Sequence, residues 1–113
     1  MVVADGAIER LLRAKRLIDD QYFQPLDVVR LAEVAGLSQA HFSRSFHQAF
    51  GSPPHQYVLA RRMERAALML SRTDQQVKDV CVSVGFHSVG SFTTRFGREF
   101  GVSPTTYRKT HRR

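Results

Sequence analysis

Apolar residues in this chain recur three and four positions apart, the spacing that gathers side chains on one face of a helix. Ile8, Leu11, Leu12 and Ile18 share such a face, while Arg10, Arg13, Arg16 and Asp20 turn outward. They predict a first helix from about Ala7 to Gln21 with Asp5 as its N-cap, stopped before Pro25. Val28, Leu31, Ala32 and Ala35 give a second helical stripe, opened by the cap Asp27 and by a hydrophobic staple between Leu26 and Leu31. Gly36 ends it where a left-handed residue is cheap. Ser38 then caps a third helix to about Phe50, with Leu37 and Phe42 as its staple. On a wheel of 100° per residue, Phe46, Ala49 and Phe50 lie within about 80° of Phe42, whereas Ala40, Arg44 and His47 lie opposite, with Gln48 beside them. Helix, short glycine turn and helix is the helix-turn-helix pattern.

After the Gly51-Ser52-Pro53-Pro54 break, Leu59, Met63, Ala66, Ala67 and Leu70 mark a long helix from Pro54 to about Ser71, roughly 27 Å at 1.5 Å per residue. With no Gly or Pro after Pro54, it reads as a stiff connector. The segment Val77 to Val84 is ambiguous. Val80, Val82 and Val84 alternate as in a strand, yet Val77, Val80, Cys81 and Val84 also fit a helix. A repeat decides between them. Val34-Ala35-Gly36 answers Ser83-Val84-Gly85 at an offset of 49, and one inserted residue moves the offset to 50. From there Ser38/Ser88, Phe42/Phe92, Phe46/Phe96, Phe50/Phe100, Gly51/Gly101, Pro54/Pro104 and Tyr57/Tyr107 all match, so the valines are expected in a helix ending at Gly85. Ser88 caps the next helix, Ser103-Pro104 opens a short last one, and the basic tail Arg108 to Arg113 is expected to fray. The organisation is therefore all-α, about seven helices. A first helix-turn-helix subdomain occupies residues 7–52, a linking helix 53–72 and a second subdomain 73–110.

Charge narrows the function classes. The 113 residues carry a net charge of +7. Residues 1–50 hold six Lys/Arg and six Asp/Glu, while residues 51–113 hold eleven and four, so the whole excess is in the second half. That balance fits a soluble basic domain as well as a nucleic-acid binder, and the repeat must supply the rest. No zinc spacing links His41, His47, His55, His87 and His111, no Gly-rich phosphate loop occurs, and Glu64, Asp74, Asp79 and Glu99 form no carboxylate pair. Neither an enzyme nor a cofactor is expected. The single Cys81 sits on the apolar stripe opposite Ala32 of the other repeat, the place of a buried thiol, and fits a reducing compartment. With no apolar run of membrane length and no apolar signal region in the first ten residues, a cytoplasmic protein is expected.

The chain resembles the AraC/XylS family of bacterial transcription regulators from roughly Pro25 to Arg108. The resemblance is carried by Leu31-Ala32-x-x-Ala35-Gly36-Leu37-Ser38, Phe42-Ser43-Arg44-Ser45-Phe46 and Arg62-Met63-x-x-Ala66. In the second half it is carried by Gly85-Phe86-x-Ser88, Phe92-x-x-x-Phe96 and Gly101-x-Ser103-Pro104-x-x-Tyr107-Arg108. It implies a seven-helix domain of two homeodomain-like helix-turn-helix subdomains, each placing its second helix in a major groove of double-stranded DNA, with RNA polymerase as the usual further partner. The base-facing residues would be Gln39, Ala40, Ser43, Arg44 and His47 of the first reader and Gly90, Ser91 and Thr94 of the second. Ser38, Ser88, Arg95 and Arg98 would meet phosphates or the flank. One departure weakens the second reader. Family members often carry Arg two residues after its first Phe, where this chain has Thr94, and the neighbouring Arg95 turns only about 60° from Phe92. Members also commonly carry a sensing or dimerisation domain, for which this length leaves no room, so either a stand-alone regulator or an excised piece is expected. With both readers in one chain, binding is expected of a monomer on an asymmetric site. The alternative is a helical module that docks on protein, which would show large exposed apolar anchors on the third helix; Ala40, Arg44, His47 and Gln48 are none.

Overall fold

Seven α-helices and no strand form among residues 5–112, which the computed structural model describes, Asp5 by its backbone alone. They are α1 (Asp5–Gln21), α2 (Val28–Ala35), α3 (Gln39–Phe50), α4 (Pro54–Arg72), α5 (Val77–Ser83), α6 (Val89–Phe100) and α7 (Pro104–His111). No helix among them is long and apolar enough to cross a membrane. The backbone is helical from Asp5, ahead of Ala7; the side-chain cap expected of Asp5 lies outside the described residues.

Side-chain caps set most of the helix starts. Asp27 accepts from the Arg30 N–H at 2.8 Å, Ser38 from His41 at 3.2 Å, Ser88 from Ser91 at 3.2 Å and Ser103 from Thr106 at 3.1 Å. Each fills one of the donors that a first turn leaves unpaired. α5 lacks such a bond: Gln76, the counterpart of Asp27, makes no side-chain cap bond.

The turns before α3 and α6 are built alike. Gly36 and Gly85 take φ of 69° and 93°. Leu37 N–H reaches Ala32 O at 3.0 Å, and Phe86 N–H reaches Cys81 O at 3.0 Å; Gly36 N–H to Glu33 O and Gly85 N–H to Val82 O are also 3.0 Å. This is the paired-bond helix ending that a left-handed glycine permits, and it recurs bond for bond 49 residues on. The valine segment is helical as the repeat requires. Val80 and Val84 are buried while Val82 is 70 % exposed, whereas a strand would set all three on one face.

The chain divides into unit 1, Met1–Leu59, and unit 2, Ala60–Arg113. In unit 1, Leu11, Ala14 and Ile18 of α1, Leu31, Ala32 and Ala35 of α2, Phe42 and Phe46 of α3, and Val58 of α4 form one buried cluster. Phe46 meets Tyr57 edge-on at 5.5 Å between ring centroids. In unit 2, Phe92 and Phe96 are buried likewise, and Phe96 meets Tyr107 edge-on at 5.4 Å. Phe50 and Phe100 are only partly buried, because each stands in the last turn of its helix, beyond the deepest packing. Met63, Ala66 and Leu70 of α4 are fully buried and repeat the spacing of Leu11, Ala14 and Ile18. The segment 53–72 thus serves both units: its first turns close unit 1, and the remainder stands in unit 2 where α1 stands in unit 1.

The C-terminal tail does not fray at Arg108. α7 continues to His111, Arg108 donates through Nε to Leu70 O at 2.9 Å and through Nη2 to Gln75 O at 2.5 Å, and Arg112 pairs with Asp74. These guanidinium groups occupy carbonyls at and beyond the end of α4, which a helix terminus leaves open. Arg113 lies outside the described residues.

Candidate nucleic-acid interface

Each unit presents the outward side of one helix. Its inward side is fixed by two buried phenylalanines and its start by a serine cap. On α3, Gln39, Ala40, Arg44, His47 and Gln48 are exposed, and Ser43 is partly buried against the flank. Arg44, His47, Gln48 and the C-terminal Gly51 line one shallow depression of about 400 Å³. Arg44 and His47, which the wheel sets on the outward side, both line it. Gln48 belongs with them, and its wheel position about 80° from Ala40 was the signal for it.

On α6, Gly90, Ser91, Thr94 and Arg98 are exposed and Arg95 is partly buried. All five line a second, larger depression of about 520 Å³. Val89, at the helix tip beside Gly90 and Ser91, is 45 % exposed at the first position of α6. Ser38 and Ser88 are exposed, and their hydroxyl oxygens are engaged in capping. Each hydroxyl keeps its proton to donate outward.

Both outward-facing helices, α3 and α6, are anchored from behind. In unit 1 the Tyr57 hydroxyl donates to Asp19 at 2.8 Å, and Lys15 pairs with the other Asp19 oxygen at 3.0 Å. These bonds tie the first turn of α4 to α1 across the aromatic contact with Phe46. The hydrogen bond to Asp19, reinforced by Tyr57, raises the Lys15 pKa, and burial together with the bond to Asp19 raises that of Tyr57. In unit 2 the Arg62 guanidinium lies over the Phe86 ring at 5.9 Å, and Phe86 packs edge-on against Phe92 at 5.6 Å. Arg62 thereby covers the residue that ends the turn into α6, and burial lowers its pKa. The Cys81 thiol is 1 % exposed beneath that turn and its pKa is pushed up by burial, as suits a packing group and not a nucleophile. Among the described residues no three His, Cys, Asp or Glu side chains gather as metal ligands.

A family model described as a helix-turn-helix domain matches residues 31–110. The probable transcriptional regulator LumQ of Photobacterium leiognathi is 35 % identical over 107 residues, which are 95 % of this chain and 39 % of that protein. The chain thus spans about two-fifths of that relative's length. The C-terminal domain of AraT, a response regulator from Geobacillus stearothermophilus, superposes with a TM-score of 0.88 at 30 % identity, covering 92 % of this chain and 87 % of that one. The DNA-binding domain of AdpA, a global transcriptional factor solved in complex with a target DNA, superposes with a TM-score of 0.80 at 30 % identity, covering 95 % and 93 %.

Proposed function

The chain belongs to the AraC/XylS-type helix-turn-helix family, and from that premise we propose that it binds double-stranded DNA sequence-specifically to regulate transcription, α3 and α6 each entering a major-groove segment. The observation that carries this reading is the outward side of α3. Arg44 projects from its centre among Ala40, His47 and Gln48, all exposed, with no large apolar anchor for a protein partner. Arginine there can bond bidentately to guanine N7 and O6. Gln39, Ala40, Ser43 and His47 flank it as further base contacts. Ser38, Ser88, Arg95 and Arg98 hold phosphates, which fixes position without reading sequence. Because both readers are in one chain, a single copy suffices, and its site is asymmetric. The setting is the cytoplasm, and a contact with RNA polymerase, implied by the resemblance alone, would couple binding to transcription. Selection of bound sequences from a random duplex pool at moderate salt tests the proposal. Enrichment of one asymmetric motif is expected. No enrichment would overturn the reading in favour of the protein-docking module.

A further inference from the structure

Thr94 stands on α6 where Arg44 stands on α3, 50 residues earlier, and both are exposed. Threonine cannot form the bidentate pair with guanine that arginine can. One turn before Thr94 comes Gly90, for which the fold gives no reason. Its backbone is helical without positive φ, and a Cβ added there would meet nothing closer than Ser88 Oγ at 3.5 Å. Glycine in a helix is less stable than alanine, so the missing side chain leaves room for something outside the protein. That room is the depression lined by Gly90, Ser91, Thr94, Arg95 and Arg98. Three of its lining residues, Gly90, Ser91 and Thr94, are small, and the other two are arginines.

Resting on the DNA-binding reading above, we infer that α6 reads the 5-methyl group of a pyrimidine, thymine in ordinary DNA, which enters the depression at Gly90 and packs against Thr94 Cγ2. The major groove displays that methyl at every A·T pair and nowhere at G·C, and apolar contact is the way proteins recognise it. Arg95 and Arg98 then meet the phosphates beside the same base. The two readers divide their chemistry: α3 seeks hydrogen-bond acceptors on guanine, and α6 seeks a methyl group.

Deoxyuridine differs from thymidine only in lacking that methyl. The full chain is first used to select its site, and each thymine is then replaced singly by deoxyuridine. One position in one half-site should weaken about fourfold, the factor corresponding to ~0.8 kcal/mol for a buried methyl group. Thr94→Ser, which deletes Cγ2 and keeps the hydroxyl, should bind the thymine and deoxyuridine duplexes equally, with unchanged helix content. Gly90→Ala should weaken the thymine duplex more than the deoxyuridine one. If no thymine is sensitive, or if Thr94→Ser leaves the sensitivity intact, the inference is wrong while DNA binding stands. If the pool enriches no sequence, both fall together.

Discussion

Unit 1 faces solvent with Arg44, His47 and Gln48 along α3, whereas unit 2 has Thr94, Gly97 and Arg98 at the same positions of α6. Beneath those faces little differs. Phe42 and Phe92, Phe46 and Phe96, the serine caps, the left-handed glycines and the edge-on tyrosines recur with nearly the same geometry. Charge differs as sharply as the faces do: residues 1–59 balance, and residues 60–113 hold the entire +7. The contrast separates two demands. Positions that pack against the unit's own core are tied to one solution by volume and cap geometry. Exposed positions outside that core are free to differ, unit 1 carrying long hydrogen-bonding groups and unit 2 small groups in a positive field.

The largest test asks whether the two frames are equivalent. Phe46→Ala and Phe96→Ala should each cost about 3–5 kcal/mol in denaturant unfolding, as expected for buried aromatic rings. A cost below about 1 kcal/mol for either would show that its unit is not held by the same core.

The next test sharpens the contrast between faces. Arg44→Ala should flatten base preference by about 1–3 kcal/mol at one half-site. Arg98→Ala should weaken all sequences alike and reduce the salt slope by about 1. Binding of both variants to a panel of single-base changes at two salt concentrations distinguishes them. Uniform weakening by Arg44→Ala would remove base reading from that residue.

The caps give a smaller effect with opposite signs in the two units. Asp27→Ala removes a cap that is made and should cost about 1 kcal/mol, while Gln76→Asp supplies one that is missing and should raise the melting temperature. If Gln76→Asp leaves the melting temperature unchanged, a capping bond at α5 is not limiting in unit 2.

The smallest effect appears in alkali. The folded-state pKa values of Lys15 and Tyr57 are both raised, through hydrogen bonding to Asp19 and burial respectively. A raised value means that the stabilisation is complete below the ordinary range of about 10 and is lost as pH rises through the folded values. Stability measured by urea titration should therefore fall above about pH 10, and Tyr57→Phe should flatten part of that fall. An unchanged alkaline slope in the variant would show that this cluster does not control it.

Much of this architecture was legible because its causes are local. A serine cap, the glycine after α2 and phenylalanines four apart act within a few residues, and all stand where the spacing put them. The ambiguity at Val80 to Val84 was resolved by the repeat, since periodicity over so short a run serves strand and helix alike. Arg108 was misread because its partners, Leu70 and Gln75, are 38 and 33 residues away, and a long flexible side chain leaves no periodic trace of where it ends. Val58 entered the core unseen for a related reason: α4 turns different sides inward in its first and later turns, so a single stripe drawn from Leu59 to Leu70 missed it. On the outward faces, exposure and direction were legible; Gln48 lies beside Arg44 and His47 on the wheel and Val89 at the tip of α6, yet neither was counted among the base-facing residues.

The passage from Leu59 to Ala60 lies inside α4, with helical backbone on both sides. About four backbone hydrogen bonds bridge that point, as at any interior point of an α-helix. Opening either unit therefore frays a helix that the other also uses, and re-forming it incurs the cost of nucleation. Amides near the boundary should accordingly exchange with solvent as slowly as those of either core, since partial unfolding finds no natural seam there. A protease offered the native chain likewise meets no exposed loop at its midpoint, so the two halves share one fate in degradation.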